Sequence, residues 1–407
     1  MDIKTPESHY DVVVIGGGMV GCSFAGLLEQ ASGGTRSILV LDATTFDSGK
    51  QPGFDDRSTA LSWNSRQILE SAGLWGGMAG QLTAIRKVEI SDRGRFGMAS
   101  LDCAELDTEA LGYVAENRTL GAVLSAAITA SSSISRLAPA LIDNLEPVAH
   151  GMRLVVSADE SQHELNADLV VLAEGGRSPI CGRLGIEQKQ EKYGQQALIA
   201  NIGFDRQHNN IAYERFTEAG PLAVLPLSPF AGSQRAALVW TISEIELDRY
   251  RSMSDSRVLQ QLQQEFGHRL GQLQTIGERS YFPLILSVAS EQVRPGLVLL
   301  GNVAHTLHPV AGQGFNLALR DAKELAMTLA QGAAEGVLMG DLRLLQTYLD
   351  RRSFDQRKSI NFTDKINRLF SSSAQARVIL RKTGLLSIDL LPPIRRDFAR
   401  QAMGLRL

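Results

Sequence analysis

The sequence has few cysteines, no long apolar run and no excess of basic residues, and each shortage excludes a class of protein. Its three cysteines, Cys22, Cys103 and Cys181, are odd in number and far apart. This spacing fits neither a disulfide framework nor a CxxC metal site, so we expect reduced thiols in a reducing compartment. The net charge of −3 argues against nucleic-acid binding, which usually requires a basic surface.

The shortage of apolar runs also bears on where the protein resides. No run approaches the roughly 18 apolar residues that cross a bilayer. The chain does not begin with a basic segment followed by an apolar one, and its first apolar run, residues 12–15, leads directly into glycines. No signal peptide is therefore expected. We expect a cytoplasmic protein, either soluble or attached peripherally to the inner face of the membrane.

The first informative motif lies in residues 10–21, YDVVVIGGGMVG. Gly16, Gly18 and Gly21 have the GxGxxG spacing, which allows a tight strand-to-helix turn and close approach of a pyrophosphate. Asp42 ends a second apolar run, SILVLD, where an acidic side chain can accept hydrogen bonds from a ribose hydroxyl. The order of strand, glycine turn, helix and strand predicts a dinucleotide-binding unit. The motif alone does not separate FAD from NAD.

A second glycine-rich segment, residues 299–321, stands near the other end of the chain. Gly301 and Asn302 follow an apolar run of strand length, and Gly312, Gln313 and Gly314 precede a predicted helix. Backbone N–H groups at that helix start could face an electron-rich ring and stabilise negative charge on a reduced flavin. A glycine turn that only caps the helix is the alternative. Together the two segments indicate one flavin dinucleotide held from both ends of the sequence.

The rest of the chain predicts an α/β fold with a discontinuous nucleotide domain. Its composition, 44% hydrophobic and 21% charged, is ordinary for a globular protein. Residues 85–101 resemble a hairpin, residues 196–242 read as several strands, and we expect both in one antiparallel sheet. We assign 1–80, 104–182 and 283–341 to the nucleotide domain and 81–103 with 183–282 to an inserted substrate domain. Residues 342–407 are predicted to be mostly helical, with a proline breaker at 392–393.

At this point the chain resembles a known family, the group A flavoprotein aromatic hydroxylases, and within it the ubiquinone-biosynthesis monooxygenases. The resemblance rests on HPVAGQGFN at 308–316 with Asp321, and on GFDDRSTALS at 53–62 and SDRG at 91–94. The segments at 53–62 and 91–94, together with ERFTEAGPLAVLPLS at 214–228, look particularly like the 2-polyprenyl-6-methoxyphenol hydroxylases. The resemblance implies a Rossmann-like FAD-binding domain of the para-hydroxybenzoate hydroxylase type, with an inserted antiparallel substrate sheet and a helical C-terminal region.

The resemblance also implies which residues bind FAD. The first glycine motif and Asp42 would hold the adenosine half, and Gly301 and Asn302 the ribityl and pyrophosphate region. Arg57 and Arg118 stand where the family places side chains near the flavin or its phosphates. Three positions depart from the family pattern: Glu174 before Gly175 and Asn302 after Gly301, both usually aspartate, and Ala318, commonly glycine. The complete predicted FAD site is Gly16, Gly18, Gly21, Asp42, Arg57, Arg118, Glu174, Gly175, Gly301, Asn302, Pro309, Gly312, Gln313, Gly314, Phe315 and Asn316.

The implied reaction uses NAD(P)H as a transient electron donor without a domain of its own. Oxygen would add at the flavin C4a, and the resulting hydroperoxide would hydroxylate a lipophilic prenylated phenol in ubiquinone biosynthesis. A quinone-biosynthesis complex and a membrane surface are the expected partners. Two alternatives stay open: a flavin-dependent reductase or halogenase of the same fold, and a non-catalytic flavoprotein scaffold.

Two further features permit more than one interpretation. His305 and His308 are spaced like a metal pair, but no carboxylate or cysteine stands at a supporting sequence position, which favours structural or flavin-adjacent hydrogen bonding. The tail at 384–407 mixes apolar clusters with arginines, including Arg395. Such a segment can lie on a membrane, and packing on the body of the protein is the favoured alternative.

No catalytic base is assigned from the sequence.

Overall fold

The computed structural model describes residues 6–45, 57–93, 98–176, 178–230, 232–309, 312–370 and 391–405. Parts of the predicted motifs lie outside these residues: 53–56, 94, 310–311, and 384–390 with 406–407 of the tail.

The described strands, in chain order, are β1 (His9–Ile15), β2 (Ile38–Leu41), β3 (Ser58–Ser62), β4 (Thr83–Ile85), β5 (Lys87–Asp92), β6 (Met98–Asp102), β7 (Gly112–Glu116), β8 (Ile134–Leu137), β9 (Leu141–Val148), β10 (Gly151–Ala158), β11 (Ser161–Leu172), β12 (Gln188–Phe204), β13 (Ile211–Phe216), β14 (Pro221–Phe230), β15 (Ser233–Ser243), β16 (Leu273–Ile276), β17 (Ser280–Ala289), β18 (Val293–Arg294), β19 (Leu297–Leu299) and β20 (His305–Thr306). The α-helices are α1 (Met19–Ser32), α2 (Trp63–Ser71), α3 (Asn117–Ala130), α4 (Pro179–Arg183), α5 (Leu247–Ser252), α6 (Asp255–Phe266), α7 (Gln313–Ala334), α8 (Leu342–Phe370) and α9 (Pro392–Ala402).

The first glycine motif leaves a sheet with a parallel centre. The strand order is β18–β19–β11–β1–β2–β8, and β9 and β10 extend from β11 as an antiparallel meander. Side chains of β1 are buried on both faces: Val12 and Val14 pack with α1 and α7, and Val13 and Ile15 pack in a second cluster. Because helices and the meander cover both faces, β1 reads as a continuous apolar run instead of an alternating one.

A second sheet follows the order β20–β17–β12–β15–β14–β13–β5–β6, with β16 beside β12. Its side chains alternate between two apolar environments. Leu222, Val224 and Trp240 pack under α6, whereas Ala223 and Val239 face an interior cavity. β3, β7 and β4 form a small third sheet.

The predicted joining of residues 85–101 with 196–242 is confirmed, because β5 and β6 lie in the same sheet as β12–β15. The expectation that this sheet is antiparallel is wrong at one place, since β13 and β5 pair in parallel. A parallel pair needs a long connection, and more than 100 residues separate these strands in the chain. The predicted border at 282/283 falls inside β17, and the division into domains stays a prediction.

The C-terminal region is helical, as predicted. Pro392 and Pro393 occupy the first positions of α9, where a missing N–H is not needed, so they start this helix. Ala399 and Met403 are buried against Ile90 and Phe216 of the second sheet. Within the described ranges, no helix is both long and apolar enough to cross a membrane.

Candidate active site

One cavity of about 1280 Å³ joins the two glycine segments to the second sheet. This is more than the roughly 300–1,000 Å³ typical of a pocket for one small ligand. Of the predicted site, the following residues line it: Gly16, Gly18, Asp42, Arg57, Glu174, Gly175, Asn302, Pro309, Gly312, Gly314, Phe315 and Asn316. Residues almost 300 positions apart in the sequence, such as Gly16 and Gly312, therefore line the same cavity.

The first glycine turn is packed so closely that side chains are excluded. Gly16 has φ +109°, and a Cβ there would lie 2.6 Å from the carbonyl of Ala173. A Cβ on Gly21 would lie 1.9 Å from the carbonyl oxygen of Gly16. A Cβ on Gly18, in contrast, would have no neighbour within 4 Å, and Gly18 lines the cavity. The turn thus combines tight strand–helix packing with an open surface at the start of α1, which is what a pyrophosphate requires.

Asp42 follows β2 and holds this turn in place. Its Oδ2 accepts a hydrogen bond from the backbone N–H of Gly17 at 2.7 Å. Its Oδ1 accepts from the N–H and the hydroxyl of Thr44, at 2.8 and 2.7 Å. Each carboxylate oxygen has two lone pairs, so acceptor capacity for a ribose hydroxyl remains.

Glu174, the first position that departs from the family pattern, forms a local hydrogen bond. Glu174 follows β11, and its carboxylate accepts a hydrogen bond from Ser178, which also caps α4. Burial raises the pKa of Glu174 above its ordinary value. Gly175 has φ +90° beside it, a conformation that favours glycine. The glutamate side chain, one methylene longer than aspartate, thus has a hydrogen-bond partner four residues later in the chain.

The second glycine segment turns the chain from β19 to α7. Gly301 is buried with φ +76°, against Val20 of α1, and Asn302 is exposed toward the cavity. Gly312 adopts a left-handed conformation, φ +61°, immediately before α7. Because Gly312 and Gly314 line the cavity, the positive end of this 22-residue helix faces the space where a flavin would lie.

Asn316 has a structural role that the sequence did not indicate. Its Oδ1 accepts from the N–H of Ser62 at 2.8 Å and the hydroxyl of Ser65 at 2.7 Å. Its amide nitrogen donates to the carbonyl oxygens of Ala60 and Gly312 at 2.8 and 2.6 Å. The side chain lines the cavity, but its polar atoms join the start of α7 to β3 and α2.

Behind the second segment lies a buried charge network. His305 Nε2 is 2.8 Å from Asp321 Oδ2, and Arg352 Nε donates to Asp321 Oδ1 at 2.6 Å. Burial opposes ionisation of Asp321, but the hydrogen bond from His305 and the charge of Arg352 outweigh it and hold its pKa below the usual value. The expectation that His305 lacks a supporting carboxylate is wrong, because α7 brings Asp321 back to it.

This network is not a metal centre. Both Asp321 oxygens are engaged, one by His305 and the other by the cationic guanidinium of Arg352. Among the described residues no three His, Cys, Asp or Glu side chains form a group that could hold a metal ion. His308 is buried in apolar surroundings, which lower its pKa to about 4, and its ring packs edge-on against Tyr193. It is therefore neutral at physiological pH.

The remaining predicted residues lie at different distances from the cavity. The Arg57 guanidinium lines it and lies 4.7 Å from the ring centre of Phe282. Gln313 is buried and does not line the cavity. Arg118 is exposed at the start of α3, although its neighbour Asn117 lines the cavity. The role of Arg118 stays a prediction.

The part of the cavity over the second sheet is apolar. Its floor includes Ile90, Ala223 and Val239, and its roof includes Phe398 and Met403 around α9. Arg395 fixes α9 to the body through Glu105 at 2.7 Å. One charged side chain from the floor, Glu214 of β13, also faces this space. The sequence analysis quoted Glu214 within a similarity segment and gave it no role, since a single glutamate in a strand carries no motif.

The arrangement fits FAD. Gly16 and Gly21 leave no room for side chains, the starts of α1 and α7 both face one cavity, and an acidic side chain follows β2. The FAD binding domain family matches residues 9–363 of this chain. The chain belongs to this FAD-binding family. That match covers both glycine segments and all of the second sheet.

Individual relatives narrow the family further. The ubiquinone hydroxylase UbiL of Rhodospirillum rubrum is 31% identical over 97% of this chain and 89% of its own. The 3-demethoxyubiquinol 3-hydroxylase of Escherichia coli is 28% identical over 97% of this chain and 98% of its own. The predicted membership of the ubiquinone-biosynthesis monooxygenases is thereby confirmed, and with it the expectation of an FAD-dependent hydroxylase.

A solved structure supports the fold. The p-nitrophenol 4-monooxygenase PnpA from Pseudomonas putida superposes with a TM-score of 0.80, covering 99% of this chain and 100% of its own at 18% identity. The predicted fold class, α/β with an inserted substrate sheet and a helical C-terminal region, is confirmed, apart from the one parallel strand pair in that sheet.

Proposed function

We propose that this protein hydroxylates the ring of a prenylated phenol in ubiquinone biosynthesis, using FAD, NAD(P)H and O2. The observation that carries the proposal is the single cavity that joins a dinucleotide site to a large apolar chamber. The relatives' names support the pathway and the substrate class. When bound, FAD would accept two electrons from NAD(P)H and transfer one oxygen atom of O2 to the ring.

The chain's own residues would position the cofactor. Gly16, Gly18 and the start of α1 would receive the pyrophosphate, and Asp42 the ribose. Gly312 and Gly314, at the start of α7, would present N–H groups and a positive helix end to the flavin ring. Such a preorganised dipole stabilises negative charge on reduced flavin. Asn302 keeps both a donor and an acceptor for ribityl hydroxyls without the usual carboxylate.

The apolar chamber would bind the phenol and exclude water. Val88, Ile90, Leu101, Ala212, Phe216 and Val239 offer no hydrogen bonds from their side chains. Water exclusion favours ring hydroxylation because it limits release of hydrogen peroxide. The helix α9 closes this chamber, so the C-terminal region is part of the site.

A membrane surface is the expected source of so lipophilic a substrate. Leu391 and Ile394, at the start of α9, are 48% and 43% exposed, and Phe398 of the same helix lines the cavity. Exposed apolar side chains beside a cavity suit contact with lipid or with a carrier complex.

The function is tested with the purified protein containing FAD. It is reduced anaerobically with NADH or NADPH and then mixed with ¹⁸O₂ and a short-chain prenylated methoxyphenol. Mass spectrometry should show one ¹⁸O atom in the ring product. Oxidation of NAD(P)H without ring hydroxylation would refute the proposal and favour a reductase. Deleting the gene in its host should cause a methoxyphenol precursor to accumulate, whereas an unchanged quinone content would count against the pathway.

A further inference from the structure

The cavity contains an acidic side chain to which the flavin site gives no task. Glu214 stands in the middle of β13, paired in register with Ile90 of β5 and Ala223 of β14. All three residues line the cavity. The Oε1 atom of Glu214 is shielded from solvent and has no hydrogen-bond partner among the described residues. A carboxylate buried without a partner is costly, so its retention in an apolar chamber points to a ligand that satisfies it.

Charged groups on the neighbouring elements are occupied elsewhere. On β5, Glu89 pairs with Lys87 at 3.3 Å; on α6, Glu265 pairs with Arg93 at 2.8 Å. β14 contains no ionisable side chain. The remaining ionisable groups on β13, β5, α6 and α9 are Tyr213, Arg215, Asp92, Asp255, Arg257, Arg395, Arg396, Asp397 and Arg400.

None of these groups sets the ionisation of Glu214. Burial is the only cause of its shifted pKa, which rises to about 7. The charged residues that line the cavity together with Glu214 are Asp42, Arg57, Asp143, Glu174 and Arg183. Apart from Arg57, these residues lie on or beside the first sheet, away from β13. Glu214 is thus the acidic group of the substrate chamber.

We propose that the Glu214 carboxylate accepts the proton of the substrate's phenolic hydroxyl. This rests on the proposed function, since it requires a phenol in the chamber. The O–H bond breaks, its electron pair stays on the phenol oxygen, and the proton moves to a Glu214 oxygen. The ring becomes more electron-rich and forms a C–O bond with one oxygen atom of O2, while the O–O bond breaks and its electron pair leaves with the other oxygen atom, which ends as water; the two electrons for this reduction come from NAD(P)H. Once that carbon has lost its hydrogen as a proton, Glu214 returns its own proton to the phenol oxygen.

The chamber's chemistry matches this role. A phenol ionises near pH 10 in water, so almost none is ionised at neutral pH without a base. A base is most effective when its own pKa lies near the working pH, and the apolar surroundings of Glu214 bring it there. Among the described residues of the second sheet that line the cavity, Glu214 alone carries a carboxylate.

The pH dependence of the wild-type enzyme gives the first test. Ring hydroxylation, measured as kcat/KM for the methoxyphenol, should rise as pH increases through about 7, because only the ionised carboxylate accepts a proton. Glu214→Gln should abolish this rise and lower kcat/KM at pH 7.5 by about 10²–10⁴-fold. A polyfluorinated phenol that ionises below pH 7 should restore most of the lost activity in the variant.

Control variants separate this role from a structural one. Glu265→Gln removes another half-buried glutamate with a raised pKa, but that residue does not line the cavity. It should keep both the activity and the pH profile. Glu214→Asp keeps a carboxylate and should retain part of the pH-dependent rise. FAD content, read from flavin absorbance, should be unchanged in all three variants.

The outcomes distinguish the two proposals. Wild-type enzyme that hydroxylates no phenol refutes the proposed function and, with it, the assignment of Glu214. Wild-type enzyme that hydroxylates with a flat pH profile overturns only the role of Glu214. A Glu214→Gln variant with wild-type kcat/KM would also overturn that role. A loss of activity in this variant that the fluorinated phenol does not restore would overturn it as well. If Glu214→Gln does not fold, the pH profile of the wild-type enzyme and that of Glu214→Asp still test the role of Glu214.

Discussion

Replacing Arg352 by leucine tests whether the buried network behind the second glycine segment stabilises the fold. Arg352 and Asp321 are 3% and 1% exposed and 2.6 Å apart. Removing the guanidinium leaves the Asp321 carboxylate with His305 as its remaining partner from this network. Breaking a buried ion pair by removing one partner costs about 3–5 kcal/mol. With about 2.1 cal/mol/K of unfolding entropy per residue, this lowers the unfolding midpoint by roughly 4–6 °C.

The assay is thermal unfolding of the FAD-bound protein at pH 7.5, followed by flavin fluorescence. Arg351→Leu is the matched control, because its side chain is 43% exposed and contacts Glu324 at 3.3 Å. An exposed pair of this kind contributes at most about 1 kcal/mol. The pKa of Asp321 is held low in the folded state, so wild-type stability from this group should be lost only as pH falls below about 4. A midpoint for Arg352→Leu equal to that of Arg351→Leu would refute the reasoning.

The other predictions concern cofactor, substrate and membrane binding. Gly21→Ala should abolish FAD retention, because its Cβ would lie 1.9 Å from a backbone oxygen, whereas Gly182→Ala, with no neighbour within 4 Å, should retain FAD; equal flavin absorbance in both would contradict this. Ala223→Trp should fill the chamber and raise KM for the phenol at least tenfold with unchanged FAD content, and an unaltered KM would place the substrate elsewhere. Leu391→Ser with Ile394→Ser should reduce liposome flotation of the full chain, with Ile245→Ser, at a 95% exposed site away from α9, as the control; equal flotation of both would reject membrane contact through α9.

The sequence predicted best those parts of the structure that depend on local pattern. The run VVVI followed by GGGMVG specifies strand, turn and helix because each residue's preference agrees with its neighbours'. Asp42 could be placed for the same reason, as the end of the next apolar run. The distal motif at Gly312–Asn316 was recognisable as a unit, and its position at a helix start followed from its glycines.

The parts that escaped prediction depend on contacts between distant residues. Asp321 of α7 reaches His305 of β20 through the tertiary fold, and no spacing rule connects a strand histidine to a helix aspartate 16 residues later. Three of the four hydrogen bonds of Asn316 reach Ala60, Ser62 and Ser65, about 250 positions earlier in the chain. Glu214 acquires its properties only from the apolar residues that tertiary packing puts around it.

The strand order of the first sheet has a consequence for how the protein is made. β1, which carries the first glycine turn, lies beside β11, and β11 lies beside β19. The sheet that we propose to hold the adenosine half is therefore incomplete until residue 299 has left the ribosome, and the apolar chamber lacks its roof until residue 403 has done so. Such long sequence separations slow folding. A nascent chain thus exposes apolar strands for most of its synthesis, and if FAD contacts both glycine turns, as we propose, its binding stabilises only the completely assembled molecule.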